Sequence, residues 1–474
     1  MRIAVVGTGY VGLVSGACFA EFGIDVCCVD KDETKIRRLR GGEIPIYEPG
    51  LDVLVARNMA ADRLSFTSDL AVAMEGADVV LIAVGTPSRP GDGGADLTYV
   101  HAAAAEIART MSRYTVIVTK STVPVGTGRQ IAALVRDINP RAEFDVVSNP
   151  EFLREGSAIG DFMQPDRVVI GADSERARAV MDALYQPLIR AGTPFVRTGI
   201  ETAELTKYSA NAFLAFKITF INEVADLCER VGADVQDVAA GMGLDGRIGR
   251  PFLNAGPGFG AKDTEALVRT GRQHGAPVRL IETVVDVNRA RKRLMAGRIL
   301  QACGSDAAGK RIAVLGITFK PDTNDMREAA SLEIIPLLQE AGATVHVYDP
   351  AGMEEGRHLL PGVVWHDDAY APLAEADCVA ILTEWNEFRA LDLGRVRSLM
   401  RRPVMVDLRN VYAPAVMAAA GFHYCSVGRR DARPDAAKRR KAAEAMLLSN
   451  GFAADSCVLP FSGQLAAAAS DLAD

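Results

Sequence analysis

The sequence predicts an α/β protein in which two parallel-sheet domains are joined by a long central helix and a helical middle domain. Three observations indicate this fold. Short β-branched runs alternate with amphipathic stretches over residues 1–200, which is typical of strands buried on both faces of a parallel sheet. A second series of the same kind opens with KRIAVLGITFK at residues 310–320. Between them, residues 201–230 have helical apolar spacing and contain no proline or glycine.

These patterns divide the chain into four segments. Residues 1–200 and 306–430 are predicted to form the two sheet domains, and residues 201–305 the helical middle domain. Its central helix would be roughly 45 Å long. Residues 431–474 read as a weakly ordered, alanine-rich C-terminal extension, in which KRRK is interpreted as a solvated helix face. The strands expected in the first domain are RIAVVG, DVCCVD, DVVLIAVG, YTVIVTKS and FDVVSNPEF.

Composition excludes several classes of function. A chain of 474 residues is too long for one hydrophobic core. The net charge of −7 argues against a nucleic-acid partner, and the apolar runs are too short to span a membrane. The N-terminus enters a strand pattern directly, unlike a signal peptide. Eight scattered cysteines without a CxxC pair predict buried, reduced thiols in a cytoplasmic protein, with no metal site.

A glycine-rich turn follows the first predicted strand and indicates a dinucleotide site. In GTGYVG, Gly7 permits the tight turn, Gly9 lets a pyrophosphate approach the backbone, and Gly12 allows close packing of helix and strand. The helix that follows would offer free N–H groups to the phosphates. Asp30 ends the second strand, eighteen residues after Gly12, where a carboxylate binds both ribose hydroxyls and repels a 2′-phosphate. The predicted cofactor is therefore NAD, and the sheet domains are predicted to be Rossmann-like. Tyr10, Val11 and Lys35 complete this predicted cofactor site.

Longer motifs carry a resemblance to a known family. They are GTGYVGLVSGACFAEFG, GEIPIYEPGL, VGTPS, STVPVGT, NPEFLREGSAIGDFMQPDRVVIG, ELTKYSANAFLAFKITFINE, DGRIGRPFLNAGPGFG and GITFKPDTNDMREAASLEII. From Met1 to about Gly428 the chain resembles the nucleotide-sugar dehydrogenases of the UDP-glucose/GDP-mannose dehydrogenase family. The resemblance implies two NAD-dependent oxidations of a primary alcohol to a carboxylate. It also implies an N-terminal NAD domain, a C-terminal UDP-sugar domain, and a homodimer or higher oligomer built on the central helix.

The resemblance assigns catalytic roles to five residues. Lys207 and Asn211, four apart and on one helix face, would stabilise an oxyanion. Glu151 would activate the water that hydrolyses a thioester, as a general base. Thr122 and Asp263 would together hold a catalytic water.

Further residues match binding positions of the family. Cofactor contacts are implied for Thr86, Thr122, Glu155 and Arg327, the last closing over the cofactor. Arg247 would reach the substrate of a partner subunit. The other implied substrate-binding residues are Phe152, Leu153, Arg154, Lys207, Asn211, Phe252, Leu253, Gly258, Phe319, Lys320 and Arg409.

One segment of the family's pattern is absent. The catalytic stretch of the family reads roughly G-[FY]-G-G-x-C-[FL]-P-K-D, whereas this chain runs from Gly258-Phe259-Gly260 directly to Ala261-Lys262-Asp263. About four residues are missing, including the cysteine that forms the thiohemiacetal and thioester. The other cysteines fall in predicted strands or helices and are not convincing substitutes.

Several functions remain open at this point. The motifs best fit a two-step oxidation of UDP-glucose to UDP-glucuronate, with the missing cysteine expected to impair activity. The enzyme could instead be inactive, lack a segment that the natural chain contains, or perform only the first oxidation. A binding protein for NAD and a nucleotide sugar is the non-enzymatic alternative. GDP-mannose and UDP-N-acetyl sugars are alternative substrates.

Overall fold

The computed structural model describes residues 1–87, 89 and 94–434, and its N-terminal part is an eight-stranded sheet of order β3-β2-β1-β4-β5-β6-β7-β8. All neighbouring strands pair in parallel except β6 and β7, which are antiparallel. The strands are β1 (Arg2–Val6), β2 (Asp25–Val29), β3 (Leu64–Thr67), β4 (Val79–Ile82), β5 (Thr115–Thr119), β6 (Phe144–Ser148), β7 (Val168–Ala172) and β8 (Phe195–Thr198).

Helices cover both faces of this sheet. Because every residue of β4 and β5 is buried, these strands consist of continuous apolar and β-branched runs. Two hydrophobic clusters, one on each face, join the sheet to its helices. The helices are α1 (Tyr10–Glu21), α2 (Glu33–Arg40), α3 (Leu51–Ala60), α4 (Leu70–Met74), α5 (Thr98–Thr110), α6 (Thr127–Ile138), α7 (Ala158–Met163), α8 (Glu175–Leu184) and α9 (Gln186–Arg190).

The predicted central helix is confirmed as α10 (Ile200–Val231), which has 32 residues and extends one residue beyond the prediction at each end. It ends where Gly232 adopts a left-handed conformation (φ 79°), the usual way for glycine to terminate a helix. Near its start, the buried carboxylate of Glu204 accepts hydrogen bonds from the N–H groups of Gly126 and Gly128. These bonds fix α10 to the N-terminus of α6. The other middle helices are α11 (Val235–Gly243), α12 (Lys262–Gln273) and α13 (Arg279–Ala302).

A second sheet of six parallel strands, of order β11-β10-β9-β12-β13-β14, forms the C-terminal part. Its strand order repeats that of the first six strands of the N-terminal sheet, as the shared R-I-A-V-x-G opening suggests. The strands are β9 (Arg311–Leu315), β10 (Thr344–Tyr348), β11 (Val364–Trp365), β12 (Cys378–Ile381), β13 (Val404–Asp407) and β14 (His423–Ser426). The helices are α14 (Ser331–Glu340), α15 (Met353–Leu359), α16 (Asn386–Arg389), α17 (Leu393–Leu399) and α18 (Pro414–Ala419), with a 3-10 turn at Ala371–Leu373.

The cysteines in the described part of the chain are free and buried, and they number seven. The eighth, Cys457, lies outside the described residues, as do KRRK and the rest of the C-terminal extension from residue 435. Among the helices that the structure describes, none is long and apolar enough to cross a membrane.

Candidate active site

The glycine turn between β1 and α1 has the shape that a pyrophosphate requires. Gly7 has φ 102°, and a Cβ added there would lie 2.7 Å from the carbonyl oxygen of Ala83. A Cβ at Gly12 would lie 1.9 Å from the carbonyl oxygen of Gly7. Gly9 precedes the first residue of α1 and has open space on its Cα, so a ligand can approach the helix N-terminus there. Tyr10 and Val11 are the first residues of α1.

Asp30 directly follows β2 and contacts the glycine turn through Thr8. Its carboxylate accepts hydrogen bonds from the Thr8 backbone N–H (3.0 Å) and hydroxyl (2.7 Å), and Lys35 Nζ lies 3.2 Å away. Partial burial would raise the pKa of Asp30, but the Thr8 hydrogen bonds and the Lys35 charge outweigh it and lower that pKa. An ionised carboxylate at this point fits the ribose hydroxyls of NAD and disfavours a 2′-phosphate.

The other predicted cofactor residues lie at the junction with the middle helices and the C-terminal sheet. The Thr86 hydroxyl donates to the Thr122 carbonyl (3.0 Å) and accepts from Lys262 Nζ (3.1 Å). Glu155 pairs with Arg327 across the two sheet domains (3.2 Å). These contacts tie the N-terminal sheet to α12 and to the loop that follows β9.

A cavity of about 930 Å³ lies between the N-terminal sheet, α10 and the C-terminal sheet. It brings together eleven of the predicted site residues, which come from four separate regions of the chain. They are Glu151, Phe152, Leu153, Arg154, Glu155, Lys207, Asn211, Phe252, Asp263, Phe319 and Lys320.

Lys207 and Glu151 form a buried ion pair in this cavity. Lys207 Nζ lies 2.9 Å from Glu151 Oε1, and the two side chains are 8% and 11% exposed. The second carboxylate oxygen of Glu151 accepts the Leu153 N–H (2.6 Å), and the Phe152 ring lies 5.4 Å from Lys207 Nζ. A cation and a carboxylate are thus held together where water is largely excluded, which suits both oxyanion stabilisation and general-base chemistry.

Asn211 and Asp263 form a second polar pair, one helical turn from Lys207. Asn211 Nδ2 donates to the carboxylate of Asp263, which lies in the first turn of α12. A negative charge is favourable at a helix N-terminus. With the short loop, α12 begins at Lys262, and Asp263 contacts the face of α10 that carries Asn211 and Lys207.

The sequence analysis missed a buried lysine at the end of β5. Lys120 Nζ donates to Asn149 Oδ1 and to the Tyr185 hydroxyl, both at 3.0 Å, and all three residues line the cavity. Burial lowers the pKa of Lys120 to about 8, and the charge of Lys207 contributes to this while Glu151 opposes it. The sequence signal that could have identified this buried amine is a lysine directly after the apolar run YTVIVT.

The burial of Lys120 predicts a pH-dependent stability. An unfolded lysine has a pKa near 10.4, so between pH 8 and pH 10 the unfolded chain binds more protons and stability from this group rises with pH. A Lys120→Met variant lacks this pH-dependent contribution to stability. The free energy of unfolding of the parent, minus that of the variant, should therefore rise by about 2 kcal/mol from pH 7 to pH 10 in urea titrations. A difference that stays constant with pH would contradict the burial of a titrating amine.

Glu48 is a second group that the sequence analysis missed. Its carboxylate accepts the backbone N–H groups of Gly156 (2.7 Å) and Ala158 (2.8 Å) and the hydroxyl of Tyr10. It therefore holds the loop that carries Glu151 and Glu155 against the first turn of α1. The predicted cofactor residue Tyr10 thus connects the dinucleotide turn to the loop that carries Glu151 and Glu155.

Comparisons with known proteins agree with this geometry. Residues 1–189, 201–290 and 313–414 match the NAD binding domain, the central domain and the UDP binding domain of the UDP-glucose/GDP-mannose dehydrogenase family. This chain belongs to that family. It is 59% identical over 437 residues to UDP-glucose 6-dehydrogenase of Rhizobium meliloti, a match that covers 91% of this chain and 100% of that protein. It is 50% identical to a UDP-glucose 6-dehydrogenase of Bacillus subtilis, covering 90% and 93% of the two chains.

Solved structures of the family share the whole described architecture. A UDP-glucose dehydrogenase of Pyrobaculum islandicum is 40% identical, with a TM-score of 0.84 over 90% of this chain and 98% of that one. A UDP-D-ManNAc dehydrogenase of Pyrococcus horikoshii is 26% identical, with a TM-score of 0.80 over 90% and 99%. The predicted membership of the family and the predicted NAD cofactor are therefore confirmed.

Five of the residues that the family resemblance assigned to catalysis or substrate binding lie away from the cavity lining. Arg247 has a side chain that is 90% exposed, and it pairs with Asp245. Leu253 packs in the core of the C-terminal half, and Gly258 packs against Asn288. Arg409 donates to the carbonyl oxygens of Leu382 and Phe319, and so holds the backbone of the cavity residue Phe319. Thr122 lies after β5 and meets Thr86 through its backbone.

No thiol lines the cavity among the residues that the structure describes. Cys228 shares α10 with Lys207 but lies roughly 30 Å along the helix, and it packs in the C-terminal core. In the place of the family's cysteine segment, Gly260 and Ala261 lead directly into α12, where the Lys262 N–H donates to Glu328 (3.1 Å).

Proposed function

We propose that this chain is a UDP-glucose 6-dehydrogenase that binds UDP-glucose and NAD, and that the absence of the catalytic thiol impairs the second of its two oxidations. The observation that carries the proposal is the buried Lys207–Glu151 pair, in a cavity between the NAD domain and the UDP-sugar domain. The names of the most similar relatives support UDP-glucose as the substrate. The overall product of the reaction is UDP-glucuronate.

The first oxidation uses groups that are all present. Bound NAD supplies the hydride acceptor. Lys207 donates hydrogen bonds to the substrate oxygen as negative charge develops on it, and Asn211 stands one turn away on the same helix face. Water or Glu151 accepts the hydroxyl proton, and the low exposure of the pair strengthens both interactions.

The second oxidation lacks its nucleophile. An aldehyde carbon must first gain an oxygen or sulfur substituent before it can give up a hydride, and the family uses a cysteine for this. In this chain the remaining route is addition of water: Glu151 accepts one water proton, the resulting hydroxyl adds to the aldehyde carbon, and the carbonyl oxygen then takes that proton from Glu151 to give the hydrated aldehyde. Because the hydrated aldehyde forms without a covalent link to the protein, we expect this route to be slow.

Asp30 should decide between NAD and NADP. An Asp30→Ala variant removes the acceptor of the ribose hydroxyls and leaves Lys35 free to meet a 2′-phosphate. We expect NADH binding to weaken at least about 100-fold, because two hydrogen bonds to a charged group are lost, and we expect a gain in NADPH binding. Fluorescence titration with both nucleotides measures this. Asp32→Ser is the matched control, because it removes a nearby charge and keeps a capping side chain on α2. Equal effects of the two substitutions would count against the role of Asp30.

A dehydrogenase of another nucleotide sugar is the second candidate, since the related dehydrogenase of Pyrococcus horikoshii is named for an N-acetylated sugar. Titration calorimetry with UDP-glucose, GDP-mannose and UDP-N-acetylmannosamine in the presence of NAD, followed by absorbance of NADH, separates the two. We expect the tightest binding and the fastest NADH formation with UDP-glucose. Preference for another sugar would overturn the substrate assignment, and binding without any NADH would favour the binding-protein alternative.

We also propose that the chain works as a homodimer or higher homo-oligomer in the cytoplasm. Three stacked aromatic rings, Phe213, Phe216 and Phe220, are 62%, 36% and 39% exposed along one face of α10. Large exposed apolar patches of this kind mark interaction surfaces.

The free thiols of the described residues support a reducing compartment. The domain roles proposed are NAD binding for residues 1–200, dimerisation and catalysis for 201–305, and UDP-sugar binding for 306–430.

A further inference from the structure

A cluster of three different metal-binding side chains lies at the far edge of the C-terminal sheet. His423 and Cys425 belong to the edge strand β14, and Asp431 follows after a short loop. The chain folds back on itself here, because Tyr424 and Ala432 exchange two backbone hydrogen bonds as an antiparallel bridge. In such a pairing, Cys425 stands opposite Asp431, and His423 is on the same face of the strand.

The ligand atoms already have the separations of a metal site. His423 Nε2 lies 3.5 Å from Cys425 Sγ and 3.7 Å from an oxygen of Asp431, and all three atoms lie within 4.8 Å of one another. Ordinary Zn–S, Zn–N and Zn–O bonds in a tetrahedron give about 3.5 Å between sulfur and nitrogen and about 3.4 Å between nitrogen and oxygen. One ion can therefore be placed among these atoms with little movement.

We propose that His423, Cys425 and Asp431 form a binding site for Zn²⁺ that is separate from the catalytic cavity. Thiolate, imidazole and carboxylate are the three protein ligand types that Zn²⁺ accepts, and three protein ligands leave a fourth position open. That position faces a second cavity, of about 1020 Å³, which His423, Cys425 and Asp431 line together with α10 and α13. A water molecule from this cavity completes the tetrahedron.

The loop between the ligands is rigid, which favours a preformed site. The Gly428 N–H donates to Glu229 (2.7 Å), its carbonyl accepts the Val235 N–H (3.0 Å), and the Val427 N–H donates to Asn410 (3.0 Å). Contacts from three elements thus fix the turn that sets Asp431 opposite Cys425. Little ordering of the chain is required when the ion binds.

The nearby charges are mixed. Arg298 and Arg433 line the cavity and act on Cys425 through their charge, which opposes a divalent ion. Arg298 is engaged by Glu229 (2.6 Å) and by the carbonyl of Ser426, and Arg291 pairs with Asp226. The other charged residues of the cavity lining include Glu223, Arg230 and Arg293. Burial and Asp431 raise the pKa of Cys425 to about 12, so the thiol is protonated without metal. Binding forms the Zn–S bond and releases that proton to solvent.

Cobalt spectroscopy tests the site with the full-length protein. After treatment with a chelator, the chain is titrated with Co²⁺ alone, and thiolate-to-cobalt charge-transfer absorption is recorded; Zn²⁺ is then added to displace the cobalt. We expect one Co²⁺ per chain, with tetrahedral ligand-field bands. Cys425→Ser should remove the charge-transfer band, and Asp431→Asn should weaken binding at least about 100-fold, more than the loss of an outer-shell partner.

Two features keep the test decisive. Cys425 is buried and its replacement could disturb the sheet, whereas Asp431 is exposed, so Asp431→Asn reports on binding in a chain with unchanged thermal unfolding. Cys457→Ser is the matched control for a thiol elsewhere in the chain. Absence of a charge-transfer band in the parent, its survival in Cys425→Ser, or its loss in Cys457→Ser would each overturn the proposal.

Discussion

Insertion of Gly-Ser-Cys-Phe between Gly260 and Ala261, together with Ala261→Pro, is expected to accelerate the formation of UDP-glucuronate by about 10³-fold or more. This insertion rebuilds the family's pattern between two flanks that this chain retains. The thiol would add to the aldehyde, allow a second hydride transfer from the thiohemiacetal, and leave a thioester for the water that Glu151 activates. Loss of a nucleophile that acts together with its neighbours commonly costs several orders of magnitude, so its return should recover a comparable factor. The measurement is the rate of UDP-glucuronate production with NAD in excess.

The control is the same insertion with serine in place of the cysteine. It restores the loop length and the start of α12 without a thiol, so it separates geometry from chemistry. We expect UDP-glucuronate formation by this control to stay near that of the parent chain. If the serine insertion accelerates the second oxidation as much as the cysteine insertion, the chain was limited by loop geometry and the missing thiol is not the cause.

Replacement of Lys207 by methionine is expected to slow the first oxidation by about 10²- to 10³-fold. The Lys207 ammonium is paired with Glu151 in the cavity, and one preorganised donor to a developing oxyanion is worth about this much. Its removal also leaves the buried carboxylate of Glu151 without its cationic partner, which destabilises the fold by about 3–5 kcal/mol. Binding of NADH should change little, because Lys207 pairs with Glu151 and the residues of the dinucleotide turn, Gly7 to Gly12, do not line the cavity that holds this pair. The rate of the first hydride transfer, measured in a stopped-flow instrument, checks the expectation.

Lys217→Met serves as the matched substitution on the same helix. Lys217 lies outside the cavity lining and donates to the carbonyl oxygens of Ile248 and Gly249. We expect its loss to lower stability modestly and to leave the first hydride transfer within a few-fold of the parent. Comparable losses in the two variants would mean that Lys207 acts only through the stability of α10.

Helices and motifs of the fold could be predicted from local sequence. Features that depend on contacts between distant parts of the chain could not. The uninterrupted helical pattern after Glu201 gave α10 to within one residue at each end, and Asp30 occupies the end of β2 as the glycine motif requires. The reversal of β7 relative to β6 was not predictable, because β7 is buried throughout and β6 over its last three residues, and burial does not report strand direction. Their direction depends on the chain path through the loop that carries Glu151, which local periodicity does not report.

The candidate site shows the same division. Motifs placed Glu151, Lys207 and Asp263 in one site, and all three line one cavity. Lys120 was not predicted, because its burial depends on Asn149 and Tyr185, which are distant from it in sequence. The shortened loop was visible in the sequence. Asp263 nevertheless contacts Asn211. This contact depends on the residue at which α12 begins, which only the packed structure shows.

The number of NADH molecules formed per UDP-glucose tests the central claim most directly. The claim is that this site retains the groups for the first oxidation and lacks the nucleophile for the second. With enzyme and NAD in excess over UDP-glucose, the account predicts a rapid phase of one NADH per sugar and a much slower approach to a second, with an aldehyde trapped by hydroxylamine in between. Two NADH per sugar in a single rapid phase would contradict the account, and so would the absence of any NADH.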